Sequence, residues 1–117
     1  MLFDFERFVT AAKLAYRRCE SNVFSFNDVL HVFQYYFESY ELVFGAAHPM
    51  ISIDQITQII EKMPFIDDSG DVILTPEDYQ VIIDQHFITK YRNCDYNINH
   101  FFSGRIREMR CFETLFI

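Results

Sequence analysis

Three carboxylates fall within five residues, at Asp67, Asp68 and Asp71, and Glu77 and Asp78 follow closely. Asp54 and Glu61 lie just upstream in the same stretch, ISIDQITQIIEKMPFIDDSGDVILTPEDY. Carboxylates this close repel one another, so they favour a shared cation or a basic partner. A second group is Cys94, Asp95 and His100, with His86 upstream. A reactive thiolate needs an electropositive setting and a positioned base, and only Arg92 hints at the first. The spacings of His86, Cys94 and His100 match no zinc-finger pattern and lack a fourth ligand. His86 lies on an apolar helical stripe and is expected in the core. No Gly-rich phosphate loop, GxSxG or HExxH is present. The chain is therefore read as non-enzymatic, with no cofactor.

Counted as twelve positions from Asp67 to Asp78, the acidic segment places Asp67, Ser69 and Asp71 first, third and fifth. Leu74 is eighth and Asp78 twelfth. With helices on both sides the segment resembles an EF-hand, which implies calcium held by Asp67, Ser69, Asp71 and Asp78. It departs from that pattern at Val72, where a sharp turn asks for Gly. Asp78 is also shorter than the usual bidentate Glu, and Pro76 stiffens the exit. No metal is the leading expectation, and calcium binding is the alternative.

Charge is distributed unevenly. Residues 1–20 carry +1, residues 21–87 carry −10 with Lys62 as their one base, and residues 88–117 carry +2. A free nucleic-acid binder usually shows a basic footprint instead. The order helix, helix, hairpin, helix from Ser25 to Tyr91 is compatible with a winged helix. Its reading helix would offer Asp54 and Glu61 against Lys62 alone, which phosphates repel. The basic C-terminal segment, with Arg105, Arg107 and Arg110 among aromatics, is a second place where nucleic acid could bind.

The leading functional expectation is a protein-interaction module. Carboxylates at Asp54, Glu61, Asp67, Asp68, Asp71, Glu77 and Asp78 would offer negative charge much as a phosphate backbone does. Such a surface can occupy a basic nucleic-acid channel on a larger enzyme. Anti-restriction and anti-CRISPR inhibitors from mobile elements are analogies of physical role. The expected partner is a protein that handles nucleic acid; no membrane is expected, and direct nucleic-acid binding is disfavoured.

These residues need elements to position them. At 117 residues, half of them hydrophobic, the chain reads as one helical domain, residues 1–117. Fourteen Phe and seven Tyr supply a core. Three cysteines without a CxxC suit a reducing compartment, and the first residues lack the pattern of a signal peptide, so a cytoplasmic location is expected. Apolar spacing predicts helices over Leu2–Cys19, from Ser25 to Gly45, over Ile53–Lys62 and from Thr75 to about Tyr91. Tyr96–Ser103 and Arg105–Phe112 are further short helices, the second with its arginines outside. Phe65–Ile66 and Val72–Leu74 around Ser69–Gly70 predict a hairpin. The expected fold is mainly α, a compact bundle of five to six helices with one short β-hairpin.

Overall fold

Among the described residues, each helix begins at a side chain that satisfies an otherwise orphaned backbone N–H. The structure is a computed structural model describing residues 1–20, 22–64, 68–71, 74–89, 94–103, 106–107 and 109–110. Among the described residues five helices follow in order: α1 (Phe5–Arg18), α2 (Phe26–Phe44), α3 (Ile53–Lys62), α4 (Pro76–Ile88) and α5 (Ile98–Phe102). Asp4 accepts from Arg7 N at 3.1 Å and so starts α1 a turn later than apolar spacing alone suggests. Ser25 accepts from Asp28 N, and Gly45 closes α2 with φ 66, the left-handed geometry that glycine tolerates. Ser52 with Gln55, and Thr75 with Asp78, form reciprocal capping boxes, and Pro76 opens α4.

Helix α1 packs mainly on α3, and α2 mainly on α4. A smaller α1–α2 contact joins the two pairs, and α5 rests on α3. Because α3 leans on α1 rather than on α2, consecutive helices do not form the pair that a winged helix requires. The radius of gyration, 13.8 Å, is that of a compact chain of this length. No helix among the described residues is long and apolar enough to cross a membrane.

The core stripe of α2 is Val29, Val32, Phe33, Tyr36 and Phe37. Phe44 is exposed, although one side of its ring meets Tyr96 at 5.5 Å. Phe3 stacks on Phe37 with ring centroids 4.1 Å apart, and Phe8 lies 4.8 Å from Phe33 and 5.1 Å from Phe37. Such aromatic contacts add about 0.5–1.5 kcal/mol each beyond burial.

The expected hairpin is not found: no strand occurs among the described residues. Asp68–Gly70 form a turn with Gly70 at φ 86, and Phe65, Ile66, Val72 and Ile73 lie outside the described residues. Leu74 goes straight into the core, and the Thr75 N–H is already taken by Asp78, so the run passes directly into α4. Helix α4 ends at Ile88, earlier than expected, with Lys90 to Asn93 outside the described residues. Residues 106–107 and 109–110 have helical backbone, within the expected last helix.

Two buried polar ties hold the C-terminal third. The Tyr36 hydroxyl donates to Tyr96 O at 2.7 Å. His48 bridges the corner after α2 to the start of α5: Nε2 accepts from Ile98 N at 3.0 Å and Nδ1–H donates to Pro49 O at 2.7 Å. Because Ile98 N can only donate, His48 must be the neutral Nδ1–H tautomer. Replacing Tyr36 by Phe strips the buried Tyr96 carbonyl of that donor, and the expected cost is about 1–3 kcal/mol. Urea unfolding should show a lower midpoint with an unchanged slope; an unchanged midpoint would show that the hydroxyl contributes nothing.

Candidate interaction surface

The acids picked out in sequence divide into groups with different work. Asp78 is half-buried and its Oδ2 accepts from Thr75 N at 2.9 Å. It is a capping residue, which withdraws one carboxylate oxygen from any calcium or partner. Asp54 pairs with Arg18 at 2.9 Å across the α1–α3 contact, both side chains well exposed. Exposed pairs of this kind stabilise by less than about 1 kcal/mol, yet this one places a cation over Asp54. Glu61, Asp68, Asp71 and Glu77 are exposed. Asp67 lies outside the described residues.

The calcium pattern meets a different backbone. The left-handed glycine is Gly70, fourth from Asp67, whereas the pattern needs it sixth. Ser69 and Asp71 are exposed. Among the described residues, no three of His, Cys, Asp and Glu come together as metal ligands would.

The basic C-terminal segment is partly folded inward. Arg110 is 4% exposed, not outside as its spacing suggested. Arg107 is half-buried, donates to Lys62 O and stands 5.9 Å over the Phe102 ring. The guanidinium at this point neutralises the carbonyl end of α3 rather than facing solvent. Arg105 lies outside the described residues.

The sulfur and imidazole groups separate as well. Cys94 Sγ and His100 Nδ1 approach to 3.8 Å at an exposed edge. His86 lies inward of that edge, buried with ring centroids 4.9 Å from Tyr96 and 5.1 Å from Phe101. Cys19 is buried, and burial with Glu61 nearby pushes its thiol up, away from reactivity.

The feature that sequence reading missed is the seam between α2 and α4. Neither helix contains a lysine or arginine, while they carry Asp28, Glu38, Glu41, Glu77, Asp78 and Asp84. They run side by side in the same direction. His31, Gln34, Tyr35 and Glu38 share one hollow with Gln80, and Ser39, Leu42 and Val43 share the next with Asp84, Phe87 and Ile88. The Tyr35 hydroxyl donates to Asp84 at 2.5 Å, and that bond, with partial burial, pushes its pKa up to about 12. The available signal was the absence of cations from both helices, together with Leu42 and Val43 lying off the core stripe. No protein-family model matches the chain, and no significant match is found among curated proteins or solved structures.

The two buried histidines give the fold an acid limit. Burial lowers the pKa of His48, and burial with Arg110 and His100 nearby lowers that of His86 to about 4. Each therefore binds a proton more readily unfolded, near 6.5, than folded. Their stabilisation is complete above that value and is lost as pH falls through the folded value. For His86 the loss is on the order of 3 kcal/mol. Melting temperature should fall between pH 6.5 and 4.5, before most carboxylates titrate, and His86→Phe should flatten the decline; an unaltered slope would remove His86 as a cause.

Proposed function

We propose that this protein is a non-enzymatic interaction module whose acidic surface occupies a basic nucleic-acid-binding surface on a larger enzyme. One observation carries the reading. The end of α3, the loop before α4 and the first turn of α4 supply Glu61, Asp68, Asp71 and Glu77 as exposed carboxylates. Rigid helices and a capped helix start hold these charges at fixed positions, as a phosphate backbone does. Long-range attraction then favours encounter with a positively charged cleft. Arg110 being buried and Arg107 turned to α3 supports the same reading, because those cations serve the C-terminal packing. Within the acid set, Asp68, Asp71, Glu77 and Glu61 are the contact residues by their exposure; Asp78 caps α4 and Asp54 pairs with Arg18.

Affinity capture followed by mass spectrometry should recover a nuclease, polymerase or other enzyme of nucleic acids. Added duplex DNA or RNA should compete the partner away, as should raised salt. Changing Asp67, Asp68 and Asp71 to Ser with Glu77→Gln should reduce capture at least about tenfold. Capture that survives both the competitor and the variant would overturn the proposal.

A further inference from the structure

The seam between α2 and α4 ends in a hollow that the acidic-loop reading does not use. Its floor is Leu42, Val43, Phe87 and Ile88, with Ser39 and Asp84 at the edge. Leu42 is 87% and Ile88 75% exposed, so the floor is open to an outside partner. Exposed aliphatic side chains gathered at one end of a helix pair are unusual for a solvated surface. From His31 to Leu42 the seam runs about 17 Å, three turns of helix.

Four observations narrow what covers it. The hollow holds about 240 Å³, below the roughly 300–1,000 Å³ typical of small-molecule sites, which suits the side chains of a macromolecule. The seam is acidic, at Asp84 beside the hollow and at Glu38 one turn before it, with no lysine or arginine on either helix. Nucleic acid and anionic lipid surfaces are repelled by such a seam. A second copy would bring the same negative face against itself. No strand edge is offered among the described residues, so an extended peptide has no backbone to pair with.

We infer that the α2–α4 seam is a docking groove for an amphipathic basic helix of a partner protein. Its aliphatic anchors, spaced three and four residues apart, enter the Leu42–Ile88 hollow, and its Lys or Arg residues meet Glu38 and Asp84. The groove is separate from the Asp68–Asp71 loop, so the two surfaces can be disabled independently. The partner helix would be one segment of a protein, not a nucleic-acid channel.

The test uses the whole chain and three fluorescent synthetic helices of roughly four turns. One is Leu-faced and Lys-rich, one is its scramble without an apolar face, and one is its Glu-for-Lys counterpart. Anisotropy should show saturable binding of the first alone, weakened by salt. Leu42→Ser with Ile88→Ser should weaken it at least about tenfold, since both side chains are exposed and their loss leaves the fold intact by circular dichroism. Glu38→Gln with Asp84→Asn should reduce both affinity and its salt dependence. Equal binding of the scramble or of the acidic helix overturns the inference, as does indifference to the Leu42 and Ile88 changes. Concentration-dependent dimerisation that Leu42→Ser abolishes would assign the groove to a second copy and equally overturn it. Asp68→Ser with Asp71→Ser should leave peptide binding unchanged, which separates this result from the acidic-loop proposal.

Discussion

A neutral imidazole holds the fold in register. His48 sits at the corner where α2 has ended and α3 has yet to begin, and it receives the first N–H of α5. Its ring packs 5.0 Å from Phe37 and 4.8 Å from Tyr40, so the bond forms in an apolar, water-poor setting. There it is stronger than at the surface, and it is lost when the ring takes a proton. The corner, the aromatic core of α2 and the start of α5 therefore share one electrostatic condition. Tyr36 reinforces it by reaching from the middle of α2 to the carbonyl of Tyr96.

Around that centre, charge is sorted. Apart from Lys62, the positive residues with described positions sit towards the chain ends, and several are drawn inward or paired: Arg18 with Asp54, Arg107 against the end of α3, Arg110 in the interior. The negative residues of α2 and α4 have no such counterweight in their own helices. Self-repulsion on a surface of this kind reduces stability, and retaining it suits a surface shaped for encounter rather than for folding. The two surfaces described above differ in kind. Asp68, Ser69, Asp71 and Glu77 give the loop and the α4 start a polar exposed face, whereas the α2–α4 seam sets an apolar floor beside acidic side chains.

Much of the fold was legible because capping is local chemistry. Ser52–Gln55, Thr75–Pro76–Asp78, Ser25 and Gly45 each mark a helix end through contacts spanning a few residues. The apolar stripe of α3 could likewise be read from periodicity. What could not be read depends on tertiary partners. The full burial of Tyr36 in α2 is set by α4 and α5, whose His86, Phe87 and Phe101 rings meet it. Arg110 looks solvated in sequence because nothing local reveals its burial. Of the candidate site, the acids themselves were visible; which of them were already engaged, as Asp78 and Asp54 are, was not. The α2–α4 seam was invisible for the same reason, since it exists only where two helices distant in sequence lie alongside each other.

Tyr96 carries its own consequence. Its backbone sits at φ 57, a left-handed geometry that side chains other than glycine's seldom adopt. Two hydroxyl bonds keep it there, one received from Tyr36 and one given to Thr89 O at 2.5 Å. The segment behind α5 is thus a wound spring with two catches. Its torsional energy lies next to the Cys94–His100 edge, so releasing a catch there would favour unwinding of that edge ahead of the helical body.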